Sequence, residues 1–251
     1  MTTIDLNCDL GEDPAASSRD ETLAGLVTSL NIACGGHAGD DASMRRMLAL
    51  AVRLGRAAGA HPSYPDRAGF GRMTMEMPCA TLTAALRAQL ARFAELAAEA
   101  GAAVAHIKPH GALYHAAAHR PDVAGALFAA MGEATPGAKV VLPWGAPAAE
   151  WAASRGLRVL LEAFADRRYL PGGGLAPRGE ADALLDADAA AAQALSIALG
   201  RGVMARGGVA VPVRAETICV HADTPDAVEI TRRVRARLES AGVALAPPRL
   251  R

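Results

Sequence analysis

Short apolar runs recur along the whole chain, separated by longer stretches in which apolar residues fall three or four positions apart. Seven runs read as strands, at residues 4–8, 29–34, 57–61, 103–108, 139–143, 157–162 and 217–221. Most of the intervals between them carry helical patterns. The clearest is Leu82, Leu86, Leu90, Phe93 and Ala97, closed by Gly101, the residue type that most readily ends a helix. A second places Met44, Met47, Leu48, Ala51 and Leu54 behind Asp40 and Asp41, whose side chains suit an N-cap. A third opens with Thr224-Pro225-Asp226, with the proline expected in the first helical turn, and sets Ala227, Ile230, Val234 and Leu238 on one side. Strands and helices in alternation imply parallel pairing through right-handed crossovers, and hence an α/β barrel.

The polar residues keep to one end of these strands. Asn7, Asp9 and Glu12 close the first, His37 and Asp40 follow the second, and His61 and Asp66 the third. Lys108 and His110 follow the fourth, Glu162, Asp166 and Arg167 the sixth, and His221 and Asp223 the seventh. Only the fifth, near Pro143-Trp144, lacks an ionisable group. In a parallel barrel the C-terminal strand ends converge on one rim, where active sites are built. Charges scattered for solubility would not keep to that side, so the pattern points to an enzyme.

Composition narrows the classes. Acidic and basic residues number 26 each, leaving no net field to recruit nucleic acid or an anionic membrane. No apolar run approaches the roughly 20 residues of a membrane span, and the N-terminus lacks an export pattern, so a cytoplasmic protein is expected. Cys8, Cys34, Cys79 and Cys219 form no CxxC pair and read as reduced thiols. With 251 residues, 51% of them apolar and many alanine, and with no linker or repeat, one domain spanning 1–251 is expected.

Lys108 stands out within this composition. Only Lys108 and Lys139 are lysines; the other 24 strongly basic residues are arginines. A compact ammonium at a strand end can do chemistry that a planar guanidinium cannot, although a plain solvent-facing lysine is the simpler reading. Other residues have bland readings too. Cys34 fits a buried strand-end thiol better than a nucleophile. His115 and His119, four apart without a zincin glutamate, fit a solvated helix face. Asp166 and Arg167 can form an ion pair that only shapes their loop. The chain has no GxxxxGK[ST] phosphate loop and no GxGxxG after a strand, and Gly172-Gly173-Gly174 lies in a loop without a lysine.

Several motifs occur in order: Asp5-Leu6-Asn7-Cys8-Asp9-Leu10-Gly11-Glu12, Asn31-Ile32-Ala33-Cys34-Gly35-Gly36-His37-Ala38-Gly39-Asp40, and Gly59-Ala60-His61-Pro62. Asp66, Gly69-Phe70-Gly71-Arg72, Lys108-Pro109-His110-Gly111-Ala112-Leu113-Tyr114, Phe164-Ala165-Asp166-Arg167 with Tyr169, and Ile218-Cys219-Val220-His221 follow. The set spans almost the whole chain and resembles the LamB/YcsF family, which includes the A subunits of bacterial 5-oxoprolinases. The resemblance implies a distorted seven-stranded (β/α) barrel, TIM-barrel-like and of the glycoside hydrolase and deacetylase type. It also implies ATP-coupled hydrolysis of 5-oxo-L-proline to L-glutamate, with 5-oxoprolinase subunits B and C as partners. Where the family usually carries Ser-Phe-Gly after the glutamate, this chain reads Asp13-Pro14-Ala15-Ala16. Met73 replaces a second arginine, His115 an asparagine and Ala222 a glycine.

Opening a lactam by water needs a stronger electrophile, an activated nucleophile and a proton for the departing nitrogen. ATP can supply the first by phosphorylating the amide oxygen. His37, His61 and His110 have the pKa range of a general base, and Asp9 can orient one of them. Lys108 and Arg178 suit a substrate carboxylate or phosphate, and Glu162 or Asp166 can protonate nitrogen if burial raises its pKa. Asn7, Glu12, Arg72 and His221 complete the expected substrate contacts. Two rivals remain open. Asp9 with His37, His61 or His110 can hold a divalent metal, as in a metal-dependent carbohydrate deacetylase or hydrolase on the same barrel. Alternatively, the chain only presents a ligand to a partner enzyme.

Overall fold

A computed structural model of the chain describes residues 2–248. Its strands are β1 (Thr3–Leu10), β2 (Ser29–Ala33), β3 (Ala57–His61), β4 (Val104–Ile107), β5 (Lys139–Pro143) and β6 (Val159–Phe164), then β7 (Val203–Met204), β8 (Ala210–Val211), β9 (Thr217–Cys219) and β10 (Ala244–Leu245). Strands β1 to β6 pair in sequence, all parallel, and β9 joins β6 to β1, closing a seven-stranded barrel. Strand β10 adds to β1 on the outside, and β7 and β8 form a separate antiparallel pair. The seven barrel strands match the seven expected runs, with ends shifted by at most two residues. The three extra strands have two residues each, too short to leave a periodic signal.

The helices are α1 (Ser17–Leu26), α2 (Asp41–Leu54), α3 (Cys79–Glu99), α4 (Gly111–His119), α5 (Pro121–Ala134), α6 (Ala148–Ala153), α7 (Ala187–Ala198) and α8 (Ala227–Ser240). Asp40 caps α2: its carboxylate accepts from the Ser43 amide at 2.8 Å, and the Ser43 hydroxyl accepts from the Asp40 amide at 2.8 Å. This reciprocal box satisfies amides that a helix start leaves open. The stripe Leu82, Leu86, Leu90, Phe93 and Ala97 is wholly buried along α3. One expectation changes. Pro225 precedes α8, because Asp226 takes a left-handed conformation (φ 57°) and the helix begins at Ala227. The Thr224 hydroxyl donates to Asp166 at 2.6 Å and ties that turn to the barrel rim instead. None of the described helices is long and apolar enough to cross a membrane.

Alternation along β1 decides what the barrel contains. Leu6, Cys8 and Leu10 join the apolar core shared with the helices, whereas Asp5, Asn7 and Asp9 are buried among polar groups of other strands. Successive side chains of a strand point to opposite faces, so three polar residues at every second position fill the barrel interior. Buried polar groups must find partners. Asp5 accepts from the hydroxyls of Thr28, Ser29 and Thr217 at 2.6, 2.7 and 2.6 Å. Asn7 donates to Thr217 and Glu162, and Asn31 donates to Asn7 and Asp9. The inside of the barrel is a hydrogen-bonded polar column that rises to the C-terminal rim.

Candidate active site

At that rim a cavity of about 300 Å³ opens, at the lower end of the range for small-molecule sites. Its lining includes Asp9, Glu12, His61, Arg72, Lys108 and His110 together with Phe164, Arg167, Arg178, His221 and Asp223. Asp9, His61, Lys108 and His110 therefore share one end of the barrel. Asn7, His37, Glu162 and Asp166 lie behind the lining, each buried.

Lys108 is the centre of one polar cluster. Its ammonium donates to Asp9 Oδ1 at 2.8 Å and Asn7 Oδ1 at 3.3 Å, with Glu162 Oε1 at 3.0 Å and Cys219 Sγ at 3.1 Å. Burial alone would pull its pKa down, but the adjoining Asp9 and Glu162 carboxylates hold it well above the ordinary lysine value. Its three hydrogens are directed to Asp9, Asn7 and Cys219, and the Glu162 carboxylate stands beside it as an ion-pair partner. Burial likewise opposes ionisation of Asp9, but the Lys108 charge helps to hold that carboxyl well below the usual range. Tyr114 donates to the other oxygen of Glu162 at 2.6 Å, so this carboxylate is bound on both sides.

Beside Asp9 lies a cluster of imidazoles. His61 Nδ1 donates to the Lys108 carbonyl at 2.7 Å, and His110 Nε2 donates to the Phe70 carbonyl at 2.9 Å. The other nitrogens, His61 Nε2 and His110 Nδ1, face each other at 3.0 Å. Glu12 Oε1 is 2.9 Å from His37 Nε2, 3.3 Å from His110 Nδ1 and 3.8 Å from His61 Nε2. The His37 ring stacks on His110 with centroids 3.6 Å apart, and Phe70 meets both rings edge-on. Burial pushes His61 down to about 3 and also lowers His37. Among the described residues, two groups each bring their donor atoms within 4.8 Å of one another: Glu12, His37, His61 and His110, and Asp9, Cys219 and His221.

Elsewhere in the lining, His221 Nδ1 donates to Asp166 at 3.0 Å and its backbone amide reaches the same carboxylate at 3.3 Å. Asp166 is fully buried; burial raises its pKa, but His221 and Thr224 outweigh that and leave it below the ordinary value. Asp166 thus orients an imidazole and does not pair with Arg167, contrary to the ion-pair reading. The Arg167 guanidinium instead donates to the Ala176 carbonyl, and its buried Nε has no partner among the described residues. Arg72 and Arg178 both donate to Asp223 Oδ2 at 2.6 Å. Three guanidinium groups therefore border the cavity with one carboxylate, Asp223, between two of them.

Some residues of the site escape a reading of the sequence. Asn31 and His106 sit inside apolar runs, yet Asn31 joins Asn7 to Asp9, and His106 Nε2 donates to Asn31 Oδ1 at 2.7 Å. Gly59 lies opposite His106 in the β3–β4 register, and a Cβ there would run into the His106 ring. Position 59 is glycine because the imidazole lies across it. Arg167 reads from sequence only as half of an ion pair. The signal that finds these residues is parity: His106 and Lys108, two apart, share a strand face in the same way as Asn7 and Asp9. Cys34 is buried, with burial pushing its thiol up to about 12, which fits the inert reading.

The LamB/YcsF family model matches residues 4–250. A Nocardia farcinica protein named as the A subunit of 5-oxoprolinase is 48% identical over 243 residues, covering 96% of this chain and 97% of the relative. One of the same name from Streptomyces avermitilis is 45% identical, covering 97% and 98%. The crystal structure of a lactam utilization protein from Thermus thermophilus superposes with a TM-score of 0.91 at 38% identity, covering 98% of this chain and 100% of that one. On the match along nearly its whole length, this chain belongs to the LamB/YcsF family.

Proposed function

We propose that the chain is the A subunit of an ATP-dependent 5-oxoprolinase, hydrolysing the lactam of 5-oxo-L-proline together with subunits B and C. The observation that carries the reading is one small cavity lined both by arginines and by an Asp166-held imidazole. Relatives named as 5-oxoprolinase A subunits and a neighbour named a lactam utilization protein support it. The net reaction consumes one lactam, one ATP and two waters and yields glutamate, ADP, phosphate and a proton. ATP supplies the activation of the amide oxygen.

The chain's own residues supply the rest. The substrate carboxylate binds to Arg178 and Arg167, whose guanidinium groups can grip it bidentately. His221 keeps its Nδ1 proton on Asp166, so Nε2 accepts a proton from the attacking water and returns it to the ring nitrogen as the C–N bond breaks; the acyl phosphate left behind is hydrolysed by the second water, which gives the free carboxylate and phosphate. Lys108 positions Asp9 and Glu162 and offsets part of their buried negative charge. The low dielectric of the cavity strengthens each of these interactions.

The test is to supply 5-oxoproline and ATP to this chain alone, then with subunits B and C, and to assay glutamate and ADP. Glutamate is expected only from the complete assembly. No glutamate from a folded, assembled complex would remove the reading. The imidazole cluster favours a second reading, a metal-dependent carbohydrate deacetylase. ATP-independent release of acetate from an acetylated sugar would establish that one instead.

A further inference from the structure

We propose that Glu12, His37, His61 and His110 form a binding site for one divalent cation of the zinc class. A backbone carbonyl only accepts hydrogen bonds, so the contacts to the Lys108 carbonyl at 2.7 Å and the Phe70 carbonyl at 2.9 Å fix protons on His61 Nδ1 and His110 Nε2. The lone pairs of His61 Nε2 and His110 Nδ1 then face each other at 3.0 Å, with Glu12 Oε1 at 3.8 and 3.3 Å from them. Two lone pairs and a carboxylate converging on one point repel unless a positive centre lies among them. His37 Nε2, 2.9 Å from Glu12 Oε1, brings a third imidazole to the same point.

The four donors lie within 4.8 Å of one another. Ligands about 2.0–2.2 Å from a shared ion are at most about 4.4 Å apart, so a small inward movement closes the set. Imidazole and carboxylate together suit zinc and its first-row neighbours, whereas magnesium and calcium prefer oxygen shells. The neighbouring set of Asp9, Cys219 and His221 is different. Lys108 Nζ already stands 2.8 Å from Asp9 and 3.1 Å from Cys219, and so supplies the positive charge there.

The loop over the cluster is built to cover it. Gly71 takes φ +64°, and a Cβ there would meet His37 Cβ at 2.9 Å and His110 Cδ2 at 3.0 Å. Three ligand residues, Glu12, His61 and His110, also line the cavity, so the ion would border the substrate space. That link to turnover rests on the lactam reading; the binding itself does not.

The test is titration of the metal-stripped full-length chain with Zn²⁺ against a chromophoric chelator, without substrate, ATP or partners. One Zn²⁺ per chain is expected, bound at least about 100-fold more weakly by H61A and H110A. X-ray absorption of the zinc-loaded wild type reads the shell without any substitution, and nitrogen and oxygen scatterers alone are expected. Absence of stoichiometric uptake by the folded wild type overturns the proposal. A sulfur scatterer, or binding unchanged in both variants, overturns it equally. Zinc binding by a chain whose assembled complex makes no glutamate would leave the site standing and remove the lactam reading.

Discussion

Asp166 accepts the Nδ1 proton of His221 at 3.0 Å, and the Thr224 hydroxyl fixes the same carboxylate at 2.6 Å. The pair sets both the tautomer and the orientation of the imidazole, and His221 Nε2 has no hydrogen-bond partner among the described residues. H221A should lower kcat for glutamate formation by the assembled complex about 10²–10⁴-fold, with KM changed little, as expected for loss of a general acid–base group. D166N should lower it less and alter the pH profile, because the imidazole stays while its tautomer is no longer enforced. Full turnover by H221A would remove His221 from the reaction.

The same pair governs acid stability. Asp166 is held below its ordinary pKa, so the native state binds its proton less readily than the unfolded chain does. Its stabilisation is therefore complete above the unfolded value of about 3.9 and is lost as pH falls through the folded value. D166N should be less stable than wild type near pH 6, by about 1–3 kcal/mol, with the gap closing as pH falls from about 5 towards 3. Urea unfolding midpoints across that range measure it. A gap independent of pH would contradict the depressed carboxyl.

Lys108 pairs with two buried carboxylates, Asp9 at 2.8 Å and Glu162 at 3.0 Å. Removing one partner from a buried ion set typically costs about 3–5 kcal/mol, because the remaining charges stay uncompensated. K108M should lose about that much and K108M/E162Q less, since the double variant removes a stranded charge as well. Equal loss in the two variants would show that Lys108 does not act through Glu162.

Gly59 and His106 form a steric pair across β3 and β4, in which a Cβ at 59 would overlap the ring. G59A should cost about 1–3 kcal/mol by overpacking. In H106G, which itself loses the hydrogen bond to Asn31, the same change should cost much less. Thermal unfolding of the four proteins of this cycle gives the coupling directly, and additive losses would mean the backbone yields elsewhere.

The barrel is legible in sequence because its signal is local. The strand at 139–143 follows from a short continuous apolar run and the helical stripe from Leu82 to Ala97 from a period of roughly 3.6, and both stand at the expected places. The alanine-rich helices α5 and α7 are weaker in sequence, since alanine marks no face. Asn31 and His106 stay hidden because a polar residue inside an apolar run reads as noise until its strand neighbours are known. The register Asp9↔Asn31 and Asn31↔Gly59, with Gly59↔His106 beyond it, turns that noise into one layer across four strands.

The sequence by itself determined the alternation of strand and helix, the gathering of ionisable residues at one end of six of the seven strands, and the kinship with LamB/YcsF proteins. It did not determine which of those residues meet. Lys108 joins Asp9 across 99 positions and Asn7 joins Thr217 across 210, distances at which local periodicity carries no information. Only closure of the barrel decided that Glu12 sits with three imidazoles while Lys108 claims Asp9. Closure fixes the lateral register of the strands, and that register, with the loops folded back over it, sets the distances between side chains.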